Sequence, residues 1–226
     1  MIVGISQPTV FPWLGYFHMI KNSDVFVLLD NVKFEKHSWH MRNVIRQKSN
    51  EKEPTAWIKI PTIVKKSETK IENILIDNSQ KWRESHMKAF QLNYGKNYKK
   101  IDFLQPIYER VWTNLCEFNI KSIIECCNYL KISTKIIRAS ELLVSGKKSR
   151  LVLDICKKVN ADKYIAALGS KAYLEKDLEL FKNEKIDVKF NEYIHPTYNQ
   201  EGDSFIPNLS ILDLIFNEQE KSCKYI

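Results

Sequence analysis

Long uninterrupted apolar runs are missing from this 226-residue sequence. None is long enough to cross a bilayer, and the N-terminus lacks the basic region and apolar core of a secretion signal, so the expected location is the cytoplasm with no membrane span. Cysteine is scarce and odd in number: Cys116, Cys126, Cys127, Cys156 and Cys223. No paired C-x-x-C spacing or nearby histidine suits zinc, so reduced thiols and no metal site are expected. Of the adjacent Cys126 and Cys127, one is expected to point into a helix-packed core. The absence of a P-loop argues against a Walker-type ATPase. Ser210, His195 and Asp213 share one block, yet no G-x-S-x-G elbow accompanies them, which argues against a hydrolase triad. With no internal repeat, low-complexity tract or linker, the chain reads as one domain, 1–226.

What is present is ordinary for a folded domain: 44% hydrophobic and 27% charged residues. The net charge of +8 favours anionic partners such as nucleotides, nucleotide-sugars, RNA or anionic lipid headgroups. Its lysines are spread along the chain, however, and a solvated lysine-rich surface accounts for most of them.

Ile2 to Ser6 is an apolar run of strand length, Gln7-Pro8 stops it, and Trp13 to Ile20 has helical spacing. Asp24 to Asp30 is apolar between its two carboxylates, as a strand buried on both faces reads. Met41–Arg46 and Ala56–Pro61 suggest a hairpin around QKSNEKEPT, with Thr69–Asp77 as a further strand. Residues 79–132 carry helical periodicity throughout, with Ser79 as an expected N-cap, and form a helical layer or insertion. From Ser133 strands alternate with helices: Thr134–Ala139, Ser149–Val159, Lys163–Ala167, Lys171–Glu184 and Ile186–Tyr193. A short helix begins near Leu209. The expected fold is α/β, a mostly parallel sheet of about five strands with flanking helices, a small β-hairpin region and the helical middle layer.

Ligands of such sheets sit beyond the carboxyl ends of the strands. Gln7 ends the first strand, where its amide can donate and accept. Asp30, at the end of the second, is a candidate general base. Lys36, Trp39, Arg42 and Asn43 follow it: the cations suit phosphate, arginine bidentately, and the indole suits a base or sugar ring. Arg150, in S-G-K-K-S-R at a helix start, is a further anion-binding candidate. After the last strand, His195 is the best candidate for proton transfer, with Tyr198 and Gln200 as binding residues beside it.

Three blocks, Q-P-T-V-F-P-W-L-G-Y-F (Gln7–Phe17), D-V-F-V-L-L-D-N-V-K-F-E-K-H-S-W-H-M-R-N (Asp24–Asn43) and H-P-T-Y-N-Q…F-I-P-N-L-S-I-L-D-L-I-F-N (His195–Asn217), resemble the WbqC-like family of bacterial proteins. Glu218 stands where that family usually has glycine. The resemblance implies a place in sugar-nucleotide or surface-polysaccharide metabolism, as a transferase or ligase that N-acylates or aminoacylates an amino-sugar. The substrate would be an anionic small molecule such as a nucleotide-sugar. The acyl donor stays open between acyl-CoA, an aminoacyl-tRNA and an ATP-activated acid, and no cofactor is specified. In architecture the opening strand and turn also look like the nucleotidyltransferase superfamily, although Trp13-Leu14-Gly15-Tyr16 lacks both of its signature histidines. The rival expectation is an RNA-binding or scaffolding module without catalysis, in which Trp13, Tyr16 and Trp39 stack on bases near the cations.

Overall fold

With apolar side chains on both faces, Ile2–Ser6 can be satisfied only inside a sheet, and it forms the central strand of one. The computed structural model describes residues 1–48, 54–200 and 204–226. Its elements are β1 (Ile2–Ser6), α1 (Leu14–Lys21), β2 (Val25–Leu28), β3 (Arg42–Arg46), β4 (Thr55–Lys59), β5 (Thr62–Ile63), β6 (Leu75–Ile76), α2 (Trp82–Tyr94), α3 (Leu104–Glu109), α4 (Leu115–Tyr129), β7 (Lys135–Arg138), α5 (Lys148–Lys158), β8 (Lys163–Ala166), α6 (Lys171–Leu174), α7 (Leu178–Asn183), β9 (Asp187–Phe190) and α8 (Ile211–Glu218), joined by short 3-10 turns. The chain divides into two compact units, one of Met1–Gln7, Gly15–Asn31 and Ile132–Ile194, the other of Pro8–Leu14, Val32–Lys131 and His195–Ile226.

The first unit holds a five-stranded sheet in the order β7-β2-β1-β8-β9. Every pairing is parallel, with Val3 opposite Val25 and Tyr164, so the α/β expectation with a mostly parallel sheet is met. Counted within the unit, the order is third, second, first, fourth, fifth. That is a doubly wound sheet whose strand order reverses between β1 and β8, where such sheets bind ligands. Gly4 is required by close approach, since a Cβ there would lie 2.5 Å from Ser23 Oγ and 2.7 Å from the Phe26 ring. β2 is shorter than its apolar run suggests, though backbone bonds from Asp24 N to Ile2 O at 2.9 Å and from Leu29 N to Ser6 O at 2.8 Å extend its contact with β1. The helix expected over 171–184 is interrupted by a 3-10 turn at Glu175–Asp177.

In the second unit β3 and β4 form the expected antiparallel hairpin, in register Arg42 to Lys59 and Arg46 to Thr55. The centre of its expected turn, residues 49–53, lies outside the described residues. The alternation of Ile71, Ile74 and Ile76 becomes strand only at Leu75–Ile76. Ile71 begins a 3-10 turn, yet all three isoleucines are buried, so a turn meets the same demand for burial. Ser79 does not cap α2, whose N-cap is Lys81; its hydroxyl and amide bond Asp77 instead. The helical middle supplies α2, α3 and α4, the last capped by Asn114 accepting from Glu117 N at 3.0 Å. Its aromatic core is edge-packed, with Phe118 meeting Phe11 at 5.8 Å and Trp82 at 5.5 Å. Phe90 meets Phe216 at 5.2 Å. Among the described residues no helix is long and apolar enough to cross a membrane. None of the five cysteines is in a disulfide, and both Cys126 and Cys127 are buried.

Candidate functional site

At the β1/β8 switch point of the first unit, the strand ends and the segment after β8 leave a crevice of about 220 Å³. Ser6 and Gln7 line it from β1, Leu29 follows β2, Val152 comes from α5, and Gly169, Ser170 and Tyr173 come from beyond β8. Gln7 is held through its carbonyl, which accepts from Tyr16 Oη at 3.1 Å. Ser170 donates both its amide and its hydroxyl to Ala167 O, at 2.9 and 2.6 Å, which closes the turn after β8. Burial raises the Tyr173 phenol above its ordinary pKa, so it stays a neutral hydroxyl. The walls are amides and hydroxyls over an apolar floor, chemistry that suits an uncharged polar ring.

Two other candidates fall in this unit. Asp30, fully buried, accepts from Arg138 Nε at 2.7 Å, Ser140 N at 2.9 Å and Ser140 Oγ at 2.7 Å, so its carboxylate ties the end of β2 to the end of β7. Arg150 is exposed in the first turn of α5. Gly146 precedes that turn with φ 112°, a conformation that favours glycine.

The remaining candidates belong to the second unit, where parts of the three sequence blocks meet. Asn43 donates to Val10 O at 2.8 Å and Phe11 O at 2.7 Å. Ser210 Oγ also donates to Phe11 O, at 2.8 Å, and its amide donates to Val44 O at 2.9 Å. His195 Nδ1–H donates to Pro196 O at 2.9 Å, which leaves the lone pair of the neutral ring on Nε2. The ring stacks on Trp13 at 6.5 Å, and burial lowers its pKa against the opposing pull of its hydrogen bond and of Asp213. Tyr198 and Gln200 each donate to Asp213 Oδ2 at 2.7 Å, and Tyr94 donates to Oδ1 at 2.5 Å. Asp213 is fully buried, so the three donors satisfy a carboxylate that has no water contact.

Lys36 and Trp39 are exposed. Arg42 lies over the Trp57 indole, 4.4 Å from the ring centroid, in a groove on the β3–β4 hairpin. Gln7, Asp30 and Arg150 are thus in one unit, and Lys36, Trp39, Arg42, Asn43, His195, Tyr198 and Gln200 in the other. Arg42 lines the hairpin groove, and His195 does not. Sequence reasoning missed Trp57 and Lys59, whose alternation on β4 was the available signal, and Tyr94 and Tyr173, for which there was none.

The sequence profile of the WbqC-like protein family matches residues 7–225. A relative from Mycobacterium tuberculosis (strain ATCC 25618 / H37Rv), named Uncharacterized protein Rv1507c, is 31% identical over 230 residues, covering 99% of this chain and 96% of the relative. No solved structure matches. On the length of the profile match and the coverage of that relative, the chain belongs to the WbqC-like protein family.

Proposed function

We propose that this protein is a cytoplasmic transferase or ligase of sugar-nucleotide or surface-polysaccharide metabolism that places an acyl or aminoacyl group on the nitrogen of an amino-sugar. The observation that carries the reading is the β1/β8 crevice: a neutral, hydroxyl- and amide-lined recess at the switch point of a parallel sheet fits the sugar or nucleoside ring of such a substrate. Gln7 and Ser170 would hold the ring hydroxyls. In the reaction the amine nitrogen forms a bond to the acyl carbon, the carbon's bond to its leaving group breaks, and the amine loses a proton. An amine is nucleophilic only once deprotonated, so the transfer needs a base, and His195 is the candidate the sequence offers for it.

The test is to incubate the purified chain with UDP- and dTDP-linked amino-sugars and, in turn, acyl-CoA, an ATP-activated carboxylic acid or aminoacyl-tRNA. The acceptor is then followed by mass spectrometry. The expected result is acceptor gaining the acyl mass with one donor class, lost on Gln7→Ala together with acceptor binding. No mass gain with any donor, and no acceptor binding to the wild type, would overturn the reading.

A further inference from the structure

The groove on the β3–β4 hairpin is a second site of different chemistry. Its volume is about 620 Å³, within the range of small-molecule pockets. Arg42 and Lys59 stand directly opposite each other across the antiparallel pair. Like charges in that position destabilise a sheet. Both also sit over one indole: Arg42 is 4.4 Å and Lys59 5.8 Å from the centre of Trp57. Cation–π attraction therefore holds two positive charges side by side where no described residue of the hairpin neutralises them. No aspartate or glutamate lines the groove among the described residues. Lys81, at the start of α2, adds a third cation to the wall, and it meets Glu84 only loosely, in an exposed contact at 4.0 Å. His86 closes the floor as a neutral ring, with both nitrogens already bonded, to Tyr108 Oη and Lys59 O.

We infer that this groove binds the diphosphate of a small molecule, with Arg42 and Lys59 each meeting one phosphoryl group. Paired cations match charge spread over two adjacent phosphoryl groups better than a single carboxylate, and a guanidinium held over an indole can offer its N–H fork to phosphate oxygens. The site lies wholly within the second unit and is independent of the crevice that carries the proposed acyl transfer.

Calorimetric titration with inorganic pyrophosphate, ADP, UDP and coenzyme A tests it, with inorganic phosphate for comparison, anionic phosphatidylglycerol vesicles as the lipid source and a single-stranded RNA oligonucleotide as the macromolecular rival. The expected result is one saturable site for the diphosphates, weaker for phosphate, with affinity falling about tenfold or more in Arg42→Gln and in Lys59→Gln. Lys59→Gln should melt at the same or a higher temperature than wild type, since it relieves the repulsion. That separates lost binding from lost folding. Arg42→Lys should recover part of the affinity. Diphosphate binding unchanged in both glutamine variants, or absent from the wild type, would overturn the assignment. So would binding confined to vesicles, or to the oligonucleotide with a steep loss in moderate salt.

Discussion

Asn43 donates its side-chain amide to the carbonyl of Phe11 at 2.7 Å, joining residues 32 positions apart inside one unit. Phe11 is fully buried and has φ 39°, on the left-handed side where a bulky residue is strained. The strain is held by the surroundings: Asn43 also takes Val10 O, Ser210 Oγ takes Phe11 O a second time, and the Phe11 ring packs on Phe118. The head, the post-strand segment and the tail of the chain are thus joined at one carbonyl.

Asn43→Ala would leave Val10 O without this donor and Phe11 O with Ser210 alone. A buried acceptor that loses its partner costs roughly 1–3 kcal/mol, so a loss of about 2–4 kcal/mol is expected in urea unfolding. Asn43→Asp should be no better, because a carboxylate offers no N–H to either carbonyl. An Asn43→Ala variant within about 0.5 kcal/mol of wild type would show that the junction is not what holds Phe11.

Tyr94 and Tyr198 reach the two oxygens of one buried carboxylate, and Tyr94 Oη also accepts from Arg46 N at 3.0 Å. Each tyrosine changed to phenylalanine should cost roughly 1–3 kcal/mol. Because they share Asp213, the double variant should deviate from additivity by about 0.5 kcal/mol or more. Strict additivity in the mutant cycle would mean that the two hydroxyls act separately.

Thiol reactivity follows from burial. Cys116, Cys126, Cys127 and Cys156 are buried, and desolvation pushes Cys127 and Cys156 up to about 12. Cys223 is the exception, half-buried near the C-terminus. A colorimetric thiol reagent at pH 8 should therefore label about one cysteine quickly in the folded protein and all five in denaturant. Fast labelling of two or more would show that α4 or α5 opens readily.

The sheet was legible because its central strands, β1 and β2, are almost wholly apolar and its later strands alternate with helices, two periodicities that a window of residues contains in full. β1 and β8 illustrate it: Ile2–Ser6 has the expected bounds, and Lys163–Ala166 ends one residue earlier than expected. Alternation alone was a weaker guide, since Ile71–Asn73 buries its isoleucine in a 3-10 turn. Contacts between distant segments left no local trace. Tyr198 and Gln200 read as one polar cluster, but Tyr94, 119 positions from Asp213, carries no mark in sequence of the carboxylate it bonds. Likewise Lys59 faces Arg42 only once the hairpin register is known.

Two histidines give the fold its acid limit. Burial holds His40 and His86 at about 4, below the ordinary 6.5. Between those values the unfolded chain binds protons that the folded chain does not, so stability rises with pH there. Each site contributes its full share above about 6.5 and loses on the order of 3 kcal/mol as pH falls to about 4. Urea unfolding from pH 7 to 4 should show this decline, and His86→Gln should remove about half of it. An unchanged slope in that variant would place the proton uptake elsewhere.

His195 gives the sharpest test of the proposed chemistry. Its lowered pKa keeps the ring neutral at pH 7, and the bond from Nδ1–H to Pro196 O sets the tautomer, so the lone pair lies on Nε2, a buried atom. If it is the base, kcat for acyl transfer should be flat at neutral pH and fall as pH drops through that lowered pKa, because the protonated ring cannot accept. His195→Ala should reduce kcat by about 10²–10⁴-fold with little change in KM, and added imidazole should restore part of the rate. The same substitution also removes a ring packed on Trp13 and Phe205, so a merely structural role predicts a lower melting temperature, a raised KM and no rescue by imidazole. Full turnover in the alanine variant would remove the assignment.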